Sequence, residues 1–282
     1  MLITSKDNET IKHIRKLKEK KYRDEYGEYI IEGIKLINEA IEEKQNVKTI
    51  IVCDNCNKEA INQNSMYEVA KLNCIYVDEK VFDSITEVKN PQGILAVVEK
   101  QNKEKQINYN EDIIVILDDL QDPGNLGTIL RTVDSVGLTQ IIVSKKSGDV
   151  YNSKVVRSTM GAIFRVNVIE SENLVNTIKE IKKHKFEILS TTLDTNKSLY
   201  DIHLNKTAIV IGNEANGVSK EIQELSDIKV KIPMLRKNRK PKRLSSNRSS
   251  ALWICKAETK LTRTIDFIFG KWYDIINKEK IW

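Results

Sequence analysis

The stretch "IIVILDDLQDPGNLGTILRTVDSVG", residues 113–137, decides the fold. It opens with a continuous apolar run of the kind found in buried parallel strands and then passes through a Pro-Gly turn. Asn125 occupies a position typical of an N-cap, and Arg131 lies beside the apolar stripe of the helix that follows. That stripe has helical spacing and consists of Ile129, Leu130, Val133 and Val136. A strand, a loop and a helix in this order form the unit from which parallel α/β sheets are built.

Five further apolar runs follow this stretch and predict the remaining strands of the same sheet. They read "QIIVS", "RVNVIE", "FEILSTTLD", "AIVIGNE" and "IKVKIPM", and segments with helical periodicity separate most of them. We therefore expect a doubly wound parallel sheet over residues 112–234. Residues 1–100 alternate shorter strands and helices and predict a separate α/β domain, joined through a polar linker at residues 101–111.

The composition is that of a soluble globular protein: of 282 residues, 40% are hydrophobic and 30% are charged, and the net charge is +6. No apolar run has membrane-spanning length, and the N-terminus lacks the apolar segment of a signal peptide, so we expect a cytoplasmic location. The run "KHIRKLKEKKYRDEY", residues 12–26, concentrates positive charge on one predicted helix. This run is either a solvated helix or a surface that contacts nucleic-acid phosphates.

The four cysteines offer little basis for a metal site. Cys53 and Cys56 form a CxxC pair, but no second ligand pair has the spacing that a zinc site requires. The three histidines lie out of register with this pair. We expect no metal, and reduced thiols of the kind usual in cytosolic proteins.

A second polar stretch, "AIVIGNEANGVS" at residues 208–219, has a carboxylate close behind a buried strand. Its Gly and Asn residues would also suit an ordinary turn, so a ligand site and a plain turn both stay open. The residues "VKIPM" at 230–234 end a further strand, because Pro233 cannot donate to a strand ladder. In parallel sheets, ligands bind outside the carboxyl ends of strands, which is where all three stretches lie.

Three motifs in order, "NLGTILRT", "IGNEANGVS" and "IPM", resemble those of the SpoU/TrmH family of RNA ribose 2′-O-methyltransferases, part of the SPOUT superfamily. Residues 1–100 resemble the family's ribosomal-protein-like RNA-binding domain. The resemblance implies S-adenosylmethionine as methyl donor, a trefoil-knotted methyltransferase domain, and a homodimer with its active site at the subunit interface. It also implies an RNA substrate, with ribosomal RNA favoured over transfer RNA by the kind of N-terminal domain.

The same resemblance implies roles for individual residues. Asn125 and Arg131 would face the target ribose and phosphate, and Glu214 would order the site. The positions implied for cofactor binding are Thr192, Leu193, Gly212, Asn213, Gly217, Ile232 and Met234. Because a guanidinium group stays charged at neutral pH, Arg131 suits a phosphate clamp better than a general base, although a base role stays open at the level of the family.

The tail, residues 235–282, departs from the family pattern. The family's third motif continues into a glycine and then Ser-Leu-Asn, whereas this chain has in those positions Arg236, Lys240, Pro241 and Lys242. Permitted codons for this run, read one base later, restore the glycine and Ser-Leu-Asn, which indicates a single-base frameshift near Leu235. The chain as written is then expected to bind S-adenosylmethionine weakly or not at all. One alternative is a genuine basic tail that binds RNA, on a non-catalytic RNA-binding protein; the other is an inactive frameshifted product.

Overall fold

The computed structural model of the chain describes residues 2–55, 73–100, 106–192, 195, 197 and 205–230. The chain divides into two compact units. Unit 1 comprises Met1–Asn102 and Asp149–Arg165, and unit 2 comprises Lys103–Gly148 and Val166–Trp282. Part of the predicted linker and the whole tail at residues 235–282 lie outside the described residues. The domain boundaries expected from the sequence stay predictions.

Strands and helices alternate along most of the described residues. The strands are β1 (Leu2–Ile3), β2 (Glu28–Glu32), β3 (Val47–Cys53), β4 (Cys74–Val77), β5 (Ile94–Glu99), β6 (Ile113–Leu117), β7 (Gln140–Ser144), β8 (Asn167–Ser171), β9 (Glu187–Thr191), β10 (Thr207–Ile211) and β11 (Ile228–Val230). The helices are α1 (Glu9–Lys16), α2 (Lys20–Tyr26), α3 (Ile34–Glu42), α4 (Glu79–Ile85), α5 (Pro123–Ser135), α6 (Ser153–Thr159), α7 (Ala162–Arg165), α8 (Leu174–Lys183) and α9 (Lys220–Leu225).

Unit 1 is built on a mixed five-stranded sheet in the order β1-β4-β3-β5-β2. β4 pairs parallel with both of its neighbours, and β5 pairs antiparallel with β3 and β2. The apolar stripes of α1 and α4 share one core with the sheet, in which Ile11 and Phe82 are buried together with Ile51 and Leu95. Burial of these stripes is what holds the two helices, since short helices are marginal on their own.

The basic run near the N-terminus forms two helices, so the prediction of a single helix there was wrong. Nη1 of Arg23 donates to the backbone carbonyl oxygens of Leu17 and Lys18, each at 2.7 Å. Glu19, which precedes α2, has extended backbone with φ −97° and ψ 136°. Arg23 itself is only 4% exposed, and its Nη2 donates to Oδ2 of Asp149 at 2.5 Å. The helix breaks because a buried guanidinium satisfies carbonyl groups at the junction.

Unit 2 is built on a six-stranded sheet in the order β11-β9-β10-β6-β7-β8, and all of its strand pairs are parallel. The predicted parallel α/β architecture is thereby confirmed. Every residue of β6, β7 and β10 is buried, as continuous apolar runs lead one to expect. Ile211 at the end of β10 lies opposite Leu117 at the end of β6. The two loops that follow these strands therefore leave the sheet side by side.

A candidate active site at two strand ends

The first loop of the site, residues 118–122, joins β6 to α5. The N-cap of α5 is Asp122, whose Oδ1 accepts a hydrogen bond from the backbone N–H of Asn125 at 2.7 Å. The prediction of Asn125 as the N-cap was therefore wrong. Pro123 occupies the first helical position, where its missing N–H removes no helical hydrogen bond, and the cap is the residue before it. Asn125 instead lies in the first turn of the helix and is 8% exposed.

The second loop, residues 212–219, closes on itself directly after β10. Asn213 and Gly217 form an isolated bridge, in which each backbone N–H donates to the other residue's carbonyl oxygen, at 3.0 and 2.9 Å. A Cβ atom on Gly212 would lie 2.2 Å from the carbonyl carbon of Gly217 and from the backbone nitrogen of Val218. Only glycine fits at position 212, because both of these atoms belong to backbone.

The side chain of Asn213 fastens the second loop to the first. Its Nδ2 donates to the carbonyl oxygen of Asp119 at 2.9 Å. Its Oδ1 accepts the backbone N–H groups of Ala215 and Asn216 at 2.9 and 3.0 Å. These bonds hold the amide group between the two loops. The expected role of Asn213 in cofactor binding stays a prediction.

The carboxylate of Glu214 is held by N–H groups of the first loop and of α5. Its Oε1 accepts from the backbone N–H of Asp122 and from Nδ2 of Asn125, both at 3.1 Å, and its Oε2 accepts from the backbone N–H of Gln121 at 3.4 Å. A negative charge is favoured at this place, because the first turn of a helix presents unpaired N–H groups and the positive end of its dipole. The structure thus brings Glu214 and Asn125 into direct contact.

Asp118 is a further residue of the site, and the sequence reasoning above missed it. The side chain is 7% exposed, and its Oδ2 accepts the backbone N–H of Ser219 at 2.7 Å. Ser219 is the N-cap of α9 and makes no cap hydrogen bond with its own side chain. The signal was available: Asp118 follows an apolar strand directly, just as Glu214 stands close behind another.

The remaining residues expected in the site are Arg131, Thr192 and three positions outside the described residues. Arg131 is exposed on α5. Thr192 follows β9, and its backbone N–H donates to the carbonyl oxygen of Val230 at 3.0 Å. The other three positions expected to bind cofactor lie outside the described residues: Leu193, Ile232 and Met234.

The strand ends near Thr192 fit a polar cofactor. Ser190 is fully buried and Thr191 is 6% exposed, and the hydroxyl oxygens of both lack a hydrogen-bond partner among the described residues. Both residues lie at the carboxyl end of β9, which pairs with β10 on one side and β11 on the other. Buried hydroxyl groups in native proteins are almost always hydrogen-bonded, so these two are suited to meet the polar groups of a ligand such as S-adenosylmethionine.

The described residues contain no group of three or more His, Cys, Asp and Glu side chains that could hold a metal ion. Cys53 is buried, and burial raises the pKa of its thiol; Cys56, its partner in the CxxC pair, lies outside the described residues. Among the helices of the described part of the chain, none is both long and apolar enough to span a bilayer.

Residues 112–252 match the family model of the SpoU rRNA Methylase family. The chain belongs to this family. A second model, the MRM3-like substrate binding domain, matches residues 8–96. Asn125 and Glu214 both lie in the part of the chain that matches the methylase model.

Relatives and solved structures agree with this membership. The chain is 31% identical over 233 residues to the 23S rRNA (guanosine(2553)-2'-O)-methyltransferase RlmP of Bacillus subtilis, an alignment that covers 82% of this chain and 90% of the relative. An rRNA methyltransferase from Sinorhizobium meliloti is 26% identical with a TM-score of 0.73, and the match covers 98% of both chains. Its AdoMet-bound structure matches at 25% identity with the same TM-score and coverage. The predicted enzyme class, S-adenosylmethionine-dependent RNA 2′-O-methyltransferase, and the predicted cofactor are confirmed.

Proposed function

We propose that the chain methylates a ribose 2′-hydroxyl of ribosomal RNA at the site formed by the loops 118–122 and 212–219. The observation that carries this proposal is the carboxylate of Glu214, which accepts hydrogen bonds from Gln121, Asp122 and Asn125. It joins the first and second motifs of the family at the carboxyl edge of a parallel sheet, where such folds bind ligands.

The hydrogen bond from Asn125 to Glu214 fixes the plane of the Asn125 amide. An amide held in this way can meet the target ribose in only one orientation, which lowers the entropic barrier to reaction. Arg131, exposed on the same helix, would clamp the neighbouring phosphate and stabilise the negative charge that develops on the ribose oxygen. A guanidinium group stays protonated and so serves better as a clamp than as a base.

S-adenosylmethionine, when bound, supplies the methyl group on its sulfonium. The residues proposed to hold it are Thr192, Leu193, Gly212, Asn213, Gly217, Ile232 and Met234. The hydroxyl groups of Ser190 and Thr191, for which the described residues offer no hydrogen-bond partner, lie at the strand end that leads to Thr192 and support this location.

Ribosomal RNA is favoured as the substrate because the relative RlmP is named for 23S rRNA, and because unit 1 contains the match to a substrate-binding domain. The proposed enzyme is a cytoplasmic homodimer with a trefoil-knotted methyltransferase domain, as its family resemblance implies. Light scattering of the purified chain tests the dimer, and a monomer at micromolar concentration would contradict it.

The frameshift near Leu235 is part of this proposal, because the third motif requires a glycine and Ser-Leu-Asn where the chain has a basic run. High-coverage sequencing of the DNA that encodes residues 234–260 tests it. Bases that restore the motif would support a complete methyltransferase. Bases that confirm the written frame would favour a non-catalytic RNA binder, and calorimetry should then find no S-adenosylmethionine binding at micromolar concentration.

The activity test uses the chain as written and the frame-restored chain, tritiated S-adenosylmethionine, and purified ribosomal and transfer RNA. We expect the frame-restored chain to label ribosomal RNA at a linkage that resists alkaline hydrolysis, since a 2′-O-methyl group removes the attacking hydroxyl. The chain as written should label it weakly or not at all, and the variants below are made in the frame-restored chain. Arg131→Ala should lower the methylation rate by about 10²- to 10³-fold with RNA binding largely retained. Lys179→Ala, which removes an exposed cation from α8, is the matched control and should methylate normally. Normal methylation by Arg131→Ala would remove Arg131 from the site.

A further inference from the structure

We propose that His13, Tyr26 and Tyr22 form an aromatic row on α1 and α2 of unit 1 that stacks on an unpaired nucleotide of RNA, and that Lys16 and Lys21 contact its phosphates. This inference rests on the proposed function in one respect, namely that the chain acts on RNA. It adds the surface of unit 1 that holds the substrate and the kind of RNA structure that the surface recognises.

The three rings of the aromatic row are held in place. The rings of Tyr22 and Tyr26, one turn apart on α2, are stacked with their centroids 5.9 Å apart and their planes 18° apart. The ring of His13 lies 4.7 Å from that of Tyr26. Its Nε2 is hydrogen-bonded to Oε2 of Glu28 at 2.7 Å. All three rings are partly exposed, so solvent reaches a surface that is aromatic and already ordered.

Two lysines flank the outer ring of the row. The Nζ atoms of Lys16 and Lys21 each lie 5.4 Å from the centroid of the Tyr22 ring, and both residues are exposed. Cation–π attraction is weak at exposed sites, whereas a phosphate offers a full opposite charge. The ammonium groups can therefore leave the Tyr22 ring and contact the phosphates of a nucleotide that stacks on it.

The basic run contains two kinds of cation, which the sequence could not separate. Arg23 is buried against Asp149, and Nζ of Lys18 donates to the carbonyl oxygens of Ser84 and Thr86, each at 3.1 Å. These two cations stabilise the fold of unit 1. The exposed cations of the run are Arg15, Lys16, Lys20 and Lys21.

Acidic residues lie close to the aromatic row, but several already have partners. Glu9 pairs with Lys12 at 3.0 Å and Asp24 with Lys100 at 2.6 Å, and Glu28 is hydrogen-bonded to Nε2 of His13 at 2.7 Å. Two further acids of the run, Glu19 and Glu25, are also exposed. The four exposed cations named above outnumber these two, so the surface keeps a positive balance.

This surface differs from an ordinary solvated basic helix because its aromatic rings form an ordered stack. A helix that only faces solvent has no need of such a stack. Unpaired bases stack on such rings, whereas the base faces in a duplex are already stacked on one another. The match to a substrate-binding domain spans residues 8–96 and includes the whole aromatic row. The geometry therefore favours a loop, bulge or single strand over continuous double helix.

The first test is fluorescence polarisation with a labelled RNA hairpin that carries an unpaired loop. Tyr22→Ala should weaken binding about 5- to 150-fold, the range found when one stacking residue is removed. Tyr22→Phe keeps the ring and should bind like the parent chain. Tyr76→Ala makes the same truncation at an exposed tyrosine of β4, 42% exposed, and should leave the affinity unchanged.

The second test separates phosphate contacts from stacking. The double variant Lys16→Gln/Lys21→Gln should reduce the slope of log affinity against log salt by about 1.4, because each contact to single-stranded phosphate contributes roughly 0.7. Lys35→Gln/Lys80→Gln removes two other exposed lysines of unit 1 and should keep the slope. Circular dichroism melts check the fold, and the lysine variants keep the proposal testable should Tyr22→Ala fail to fold.

Three outcomes would overturn the aromatic row. Tyr22→Ala could bind the hairpin as tightly as the parent chain, or it could lose as much affinity for a fully paired duplex as for the hairpin. The third outcome is an unchanged salt slope in the lysine variant. Methylation is measured separately at saturating RNA. A frame-restored chain that binds RNA through Tyr22 but transfers no methyl group would contradict the proposed activity alone. A parent chain that methylates RNA, while Tyr22→Ala binds normally, would contradict the aromatic row alone.

Discussion

The two strand-to-helix connections of the site are built alike but capped differently. The first connection runs from the buried strand β6 to α5, and the second runs from the buried strand β10 to α9. The first helix is capped by its own preceding residue, Asp122. The second helix receives its carboxylate from the other loop, because Asp118 accepts the N–H of Ser219 at 2.7 Å. The first connection is thus locally capped, whereas the second depends on the first.

The first loop also depends on the second, although the helix that follows it is capped locally. The second loop supplies the carboxylate of Glu214 to N–H groups of the first loop, and Asn213 donates to the carbonyl oxygen of Asp119. Removing a group from one loop should therefore disturb the other, whereas removing the local cap should affect α5 alone. The predictions below measure this difference, starting with the largest expected effect.

Gly212→Ala should cost the most stability. The added Cβ would meet backbone atoms at 2.2 Å, and backbone cannot move aside as a flexible side chain can. We expect a loss of at least about 3 kcal/mol in the free energy of unfolding, measured by urea titration with circular dichroism. Gly217→Ala is the control: its φ of +69° is strained for alanine but its Cβ would meet nothing within 4 Å, so about 1–2 kcal/mol should be lost. Equal losses would contradict the close approach at Gly212.

Asp118→Ala should cost more than Asp122→Ala, which sharpens the comparison directly. Loss of the buried carboxylate leaves the N–H of Ser219 without this acceptor and should cost about 1.5–3 kcal/mol. Loss of the local cap of α5 should cost about 1 kcal/mol. Asp118→Asn keeps an acceptor oxygen and should recover most of the difference. If Asp122→Ala proved the more harmful variant, the second connection would not depend on the first.

Glu214→Gln should have a smaller effect on stability, about 1 kcal/mol, because the amide still offers one acceptor oxygen to the first loop. The lost negative charge no longer favours the N-terminal end of α5. Glu224→Gln removes an exposed carboxylate from α9 and serves as the matched control, with no measurable change in the unfolding midpoint. An equal, negligible effect of both variants would show that the Glu214 charge is not needed by the loops.

The smallest effect concerns the turn after α9, which lies outside both connections but also has partners that are remote in sequence. Oδ2 of Asp227 accepts the N–H of Ile188 at 2.9 Å, and Oδ1 accepts from Lys182 at 2.6 Å. Burial raises the pKa of this carboxyl group, but the two donors outweigh burial and hold the pKa below its usual 3.8. A lowered pKa means that the ionised group stabilises the fold above the unfolded-state pKa, and that this stabilisation is lost as pH falls through the folded-state value.

Asp227→Asn tests this contribution. The difference in unfolding midpoint between the parent chain and the variant should be full at pH 7 and should shrink once the pH falls below about 4. A difference that stayed constant between pH 7 and pH 3 would show that the ionised state of Asp227 does not stabilise the turn.

The helix errors show where prediction from sequence stops. The run at residues 12–26 was predicted as one helix, yet it breaks where Arg23 donates to the carbonyl oxygens of Leu17 and Lys18. The same guanidinium pairs with Asp149, which is 126 residues away. The residue type of Asn125 suits an N-cap, but Pro123 starts the helix two residues earlier. Local sequence patterns indicate where a helix or strand can form, whereas the hydrogen-bond partners at its two ends determine where it begins and ends.

The parallel sheet of unit 2 and the family of the chain follow from the residues alone, because buried strands need continuous apolar runs and the motifs lie in short local stretches. Which polar groups meet depends on the folded chain. Glu214 accepts a hydrogen bond from the N–H of Asp122, which is 92 residues away, and Asp118 accepts one from the N–H of Ser219, which is 101 residues away. The physical reason is that hydrogen-bond partners are chosen by strand order and register, and the pairing of β10 beside β6 exists only in the folded chain.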